Sequence, residues 1–112
     1  MFQFTYSIKK DRHFRNIYNK GTSIANKQLV MYSIKNGSEF NNIGISASKK
    51  IGKSVIRNLI KRRIKEVYKI QEPLLKQGYD IIIIVRAAAV ELSFNDLNKS
   101  VNHLLKKQKL FK

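Results

Sequence analysis

Residues 80–85 read Asp-Ile-Ile-Ile-Ile-Val, and no other stretch restricts the fold so strongly. Five consecutive β-branched residues favour a strand over a helix, where the branch at Cβ crowds the preceding turn. They do not alternate apolar with polar, as a strand with one wet face would. The run therefore predicts a strand buried on both faces, at the centre of a sheet.

The rest of the chain is read around that strand. Leu29–Ile34 and Ile43–Ala47 supply further strands, and a weaker one spans Thr22–Ala25. The turn chemistry of Asn36-Gly37-Ser38 predicts that 29–34 and 43–47 pair antiparallel across it. Asp11 is placed to cap a short helix with Phe14, Ile17 and Tyr18 on one face, stopped at Gly21. Ser93, with Asp96 three residues on, opens a last helix whose Leu97, Val101, Leu104 and Leu105 face inward. Pro73 and Gly78 punctuate a connecting turn that Leu74 and Leu75 pin to the core. The order is α-β-β-β-α-β-α, an α/β (α+β) two-layer sandwich with about three helices on a small central sheet. The 112 residues contain no repeat or linker-like tract, which predicts one domain over 1–112.

Residues 53–69 form the most informative segment. On a helical wheel Val55, Ile56, Leu59, Ile60 and Val67 gather on one side, with Ile64 and Tyr68 at the border. Arg57, Asn58, Lys61, Arg62, Lys65 and Lys69 fill the other, across an arc of roughly 140° at about 100° per residue. The pattern predicts one wall packed in the core and one almost purely cationic. Lys53, Arg57, Lys61, Arg62, Arg63, Lys65 and Lys69 are opposed only by Glu66. Like charges at helical spacing repel, and a merely solvated face mixes both signs.

A polyanion resolves the repulsion, because Lys and Arg release counterions when they neutralise phosphate. The planar guanidinium of Arg57 also suits bidentate phosphate contacts. Lys49, Lys50 and Lys53 surround Gly52 just before this helix, where backbone N–H groups favour an anion and Ser46 and Ser48 could add hydroxyls. The competing reading is an ordinary solvated loop. The whole chain leans the same way, with 23 Lys plus Arg against 7 Asp plus Glu and a formal charge of +16.

Phe14, Tyr18 and Tyr32 read two ways. They are core aromatics, or, among Arg12, Arg15 and Lys27, a stacking platform for single-stranded bases. Arg86 is either a strand-end charge reaching water or a cation at the rim of a cleft. Chemistry by the chain itself finds little support. With no cysteine there is no disulfide, Cys-ligated zinc or thiol nucleophile. His13 and His103 are isolated, and the acids lack the converging spacing of a two-metal nuclease. No Walker, GxGxxG, HExxH or GxSxG motif occurs, so no organic cofactor or small-molecule substrate is expected. The longest apolar run, Ile81–Val85, is far below the roughly 20 residues that span a bilayer, and MFQFTYSIKK is not a signal peptide. The expectation is a soluble cytoplasmic protein with no membrane partner.

Together these residues resemble the protein subunit of bacterial ribonuclease P. Residues 48–63, SKKIGKSVIRNLIKRR, are similar to that family's basic signature, often called the RNR motif. The likeness continues through Phe14–Tyr18, Gly21, Ser23–Tyr32 and Asp80–Arg86, so it covers nearly the whole chain. It implies an enzyme whose RNA subunit, using Mg²⁺, removes the 5′ leader of precursor tRNA, while the small basic protein binds that RNA and the leader. It further implies that Arg57, Asn58, Lys61, Arg62 and Lys65 meet the catalytic RNA, with Lys49, Lys50 and Lys53 beside them. Phe14, Tyr18, Tyr32 and Arg86 would line the leader cleft. Two departures stand out. Arg57-Asn58-Leu59 replaces the usual Arg-Asn-Arg, with Leu59 on the apolar side of the wheel and Arg63 a substitute, and Ala87-Ala88-Ala89 follows Arg86 where a proline is common. The rival readings are a ribosomal or other structural RNA-binding protein, a self-sufficient metal-dependent nuclease, and a DNA binder that inserts the basic helix into a major groove.

Overall fold

In the computed structural model, which describes residues 2–112, the chain forms eight principal elements. They are β1 (Thr5–Ser7), α1 (Asp11–Lys20), β2 (Thr22–Ala25), β3 (Leu29–Lys35), β4 (Asn41–Ser46), α2 (Ser54–Gln71), β5 (Tyr79–Val85) and α3 (Phe94–Lys107). The sheet order is β1-β4-β5-β3-β2, so the isoleucine run is the central strand, as its unbroken pattern requires.

That central place corrects one expected pairing. β3 and β4 are consecutive in the chain but are not neighbours; β5 lies between them, antiparallel to β3 and parallel to β4. A strand apolar on both faces belongs between two others, and the α2 crossover supplies the long connection that a parallel neighbour needs. The Asn36-Gly37-Ser38 turn reverses the chain, with Gly37 at φ 75, but delivers β4 to the far side of β5. The strand β1, absent from the sequence reading, runs parallel to β4 at the sheet edge.

Alternation along β5 builds two cores. Ile81, Ile83 and Val85 join Leu29, Met31 and Ile43 beneath α2 and α3. Ile82 faces the other way and packs with Ile8 and Ile17 under α1, flanked by Phe14, Tyr18, Tyr32, Ile34 and Ile84. α2 and α3 thus cover one face, while α1 covers the other in part. In α3, Ser93 accepts the Asp96 N–H at 3.1 Å, and Leu97, Val101, Leu104 and Leu105 are buried, both as expected. In α1 the N-cap is Lys10, without a side-chain cap, and Asp11 is the first helical residue, where its charge still favours the helix end. Of the pair meant to pin the following turn, Leu75 is buried but Leu74 is 58% exposed.

The core side of α2 also differs from the expectation. Ile60, Ile64, Val67 and Tyr68 are buried, whereas Val55, Ile56 and Leu59 are 79%, 39% and 36% exposed. The helix is turned roughly a quarter turn from its hydropathy arc, at about 100° per residue. Tyr68 tolerates full burial because its hydroxyl finds Thr5 Oγ1 at 2.9 Å and Asn41 Nδ2 at 3.4 Å. Burial pushes its phenol above the usual range, against the pull of those hydrogen bonds. Leu59 therefore does not pack into the core.

α1 is tied to the start of β5 by His13, whose Nε2 lies 2.7 Å from Asp80 Oδ2. Asn36 and Asn42 donate to Asp80 Oδ1 at 2.9 and 2.8 Å. Burial alone would raise the Asp80 pKa; the hydrogen bonds from Asn36, Asn42 and His13, with attraction to His13, outweigh it and hold the carboxyl below its ordinary 3.8. A folded value below the unfolded one stabilises the fold above the unfolded value, and that contribution is lost as pH falls through the folded one. Wild type is accordingly expected to lose stability more steeply than Asp80→Asn as pH drops below about 4. Denaturant midpoints of both proteins across that range test this; parallel curves would remove Asp80 from the account.

Candidate nucleic-acid interface

The cationic flank begins on a 3₁₀ turn, Lys49–Ile51, and continues along α2. Lys49, Lys50, Lys53, Asn58, Arg62, Lys65 and Lys69 are exposed, while Arg57, Lys61 and Arg63 are half-buried. Among the described residues none of these bases is paired with an acid; the one salt bridge is His13–Asp80. Lys53 caps α2 without a side-chain hydrogen bond, which leaves the first-turn N–H groups without a side-chain acceptor. The Arg57 Nε is buried with no hydrogen-bond partner.

The aromatic residues come together on the opposite face of the sheet. Tyr32 pairs with Ile82, and Gly44 with Ile82, so these positions share the face that α1 partly covers. Phe14 lies directly over Gly44: a Cβ there would meet two ring atoms at 2.6 Å. The Phe14 and Tyr18 centroids are 6.3 Å apart, and Tyr18 meets Tyr32 edge-on at 5.0 Å. All three rings are half-buried. Burial raises the Tyr18 pKa, a hydrogen bond with Ser46 lowers it, and the nearby Tyr32 raises it again, for a net rise. The phenol is therefore neutral at physiological pH and does not repel phosphate.

Both surfaces meet in one cleft of about 660 Å³ lined by Phe14, Arg15, Tyr18, Ser46, Ala47 and Lys61, among others. Lys61 joins the cationic helix to the aromatic row. Arg86 stands outside this lining, exposed beyond the end of β5, where its Nη1 donates to Asn26 O at 2.9 Å. Of the cations expected beside the rings, Arg15 lines the cleft and Arg12 and Lys27 do not, and sequence reasoning did not place Asp11 there. The signal was present, since 11, 14, 15 and 18 are one helical face.

Among the described residues no three His, Asp or Glu side chains cluster as metal ligands, and no helix is long and apolar enough to cross a membrane.

A five-stranded mixed sheet with one unpaired cationic helix and a row of half-open rings beside it defines a small basic α+β protein suited to nucleic acid. Known proteins narrow the class. The family profile described as ribonuclease P matches residues 2–109. The ribonuclease P protein component of Clostridioides difficile (strain 630) is 44% identical over 107 residues, 95% of this chain and 94% of that one. The RNase P protein of Staphylococcus aureus superposes with a TM-score of 0.88 at 41% identity, covering 96% of this chain and 98% of its own. That of Thermotoga maritima gives 0.84 at 28% identity, covering 90% and 96%. The chain belongs to the ribonuclease P protein family.

Proposed function

We propose that this chain is the protein subunit of a bacterial ribonuclease P, working as a single RNA-binding unit over residues 1–112 in the cytoplasm. Lys49, Lys50, Lys53, Arg57, Asn58, Lys61, Arg62 and Lys65 dock on the catalytic RNA. Phe14, Tyr18 and Tyr32, with Arg86 beyond them, hold the single-stranded 5′ leader of precursor tRNA. The RNA subunit, with Mg²⁺, performs the cleavage, and the protein needs no organic cofactor. Its contribution is positioning: a leader stacked on fixed rings spends less of the reaction in unproductive geometries.

The observation that carries this reading is the shared cleft, in which Lys61 of the cationic helix stands beside Phe14 and Tyr18 of the aromatic row. One surface suits folded RNA and its neighbour suits an extended strand, so a precursor bound to the catalytic RNA can feed its leader straight into the trough.

Reconstitution tests it. Added to a bacterial ribonuclease P RNA at low Mg²⁺, the chain is expected to speed leader removal and to favour precursor over mature tRNA. Equal affinity for the two would leave only a structural RNA-binding role. The chain freed of RNA and given Mg²⁺ is expected to cut nothing. Arg57→Ala should weaken assembly with the catalytic RNA and flatten its salt dependence by about one unit of slope. An unchanged slope would put the RNA on another face.

A further inference from the structure

We infer that Val55, Ile56 and Leu59, at the start of α2, seat unpaired bases of the catalytic RNA, so that this helix docks on a junction or bulge rather than on continuous duplex. The inference rests on the reading that α2 is the docking surface. The three side chains are 79%, 39% and 36% exposed. Val55 and Leu59 are four residues apart and Ile56 and Leu59 three, so they adjoin on the helix surface. Single exposed apolar residues are ordinary, but these form one patch, and its rim carries Lys53, Asn58, Arg62 and Arg63. Whatever covers it must be apolar in the middle and anionic around the edge.

A second copy of the chain meets only the first condition. Each carries a formal charge of +16, and face-to-face packing would press the same cations together. Continuous A-form duplex meets only the second, because its bases are stacked inside and it presents phosphates and 2′-hydroxyls. An unpaired nucleotide meets both. Its base lays an apolar face on Val55 and Leu59 while the flanking phosphates reach Arg62 and Arg63.

The test compares wild type, the double variant Val55→Gln/Leu59→Gln and Arg57→Ala in binding to ribonuclease P RNA across a salt series. Glutamine is a good helix former, so the double variant should keep the wild-type unfolding midpoint. Its affinity should fall about tenfold at every salt concentration with the slope unchanged, since no phosphate contact is lost. In base-modification footprinting, wild type should shield unpaired bases that the double variant leaves reactive. Wild-type affinity in the double variant, with Arg57→Ala still impaired, overturns the inference and leaves the docking surface standing. If Arg57→Ala also binds normally with an unchanged slope, the docking reading fails and the inference with it. A flattened slope in the double variant would mean that the patch only props up the cations. Dimers of wild type in sedimentation, abolished by the substitutions, would assign it to self-contact; either result rejects the seat for bases.

Discussion

Phe14→Ala is expected to weaken precursor tRNA binding to the reconstituted enzyme by about 1–3 kcal/mol, the worth of one base stacked on an aromatic ring. That is about five- to 150-fold in affinity, with mature tRNA unaffected because it has no leader. The ring sits over Gly44 and is half-buried, so part of any loss comes from packing. Phe14→Leu separates the two contributions. Leucine refills most of the volume but offers no π-face, so it should restore the unfolding midpoint and not the leader affinity. Gly44→Ala reaches the same ring from below. Its Cβ would stand 2.6 Å from Phe14 ring atoms, so the ring must move, and the preference for precursor should fall although no aromatic is deleted. Wild-type precursor affinity in both Phe14→Leu and Gly44→Ala would make Phe14 a packing residue and empty the trough of its role.

Whether a feature could be read from the sequence depended on how locally it is specified. The central strand was legible because five β-branched residues in a row state their own environment. The Ser93 cap and the inward face of α3 were legible for the same reason, with cause and effect a few residues apart. The neighbours of β3 were not. Asn36-Gly37-Ser38 says that the chain turns, but nothing in it says that β5, arriving more than forty residues later, takes the adjacent place. Hydropathy also misjudged α2. Val55, Ile56 and Leu59 are as apolar as Ile60, and no periodicity marks where the sheet beneath the helix ends. Tyr68 falls at the border of the wheel by its angle alone, and its hydroxyl is costly to bury unless paired; Thr5 and Asn41, far off in sequence, remove that cost. The proposed site follows the same rule. Its cations and rings were visible as types, while Lys61 belonging to both surfaces is a tertiary fact.

Glu72→Ala should destabilise the fold by about 2–4 kcal/mol through donors left without an acceptor. Among seven scattered acids Glu72 looked unremarkable, yet it is 1% exposed. Its carboxyl accepts the Gln3 N–H at 2.5 Å and the Phe4 N–H at 3.1 Å, and the Thr5 hydroxyl donates to it as well. Thr5 in turn meets the Tyr68 hydroxyl at 2.9 Å. One side chain at the end of α2 therefore fixes the entry of β1, a three-residue edge strand too short to hold by its ladder alone. Removing the carboxyl leaves the Phe4 amide and the Thr5 hydroxyl short of an acceptor and loosens Tyr68. The expected signature is a lower denaturant midpoint together with faster hydrogen exchange at Asn41, whose N–H donates to Phe4 O, and at Ile8, whose N–H donates to Ile43 O. Glu72 lies 15 residues past Arg57, about 22 Å along the helix, so the salt slope of RNA binding should not change. If exchange at Asn41 and Ile8 stayed slow in Glu72→Ala, pairing with β4 would suffice to hold the strand, and the carboxyl would be a bystander.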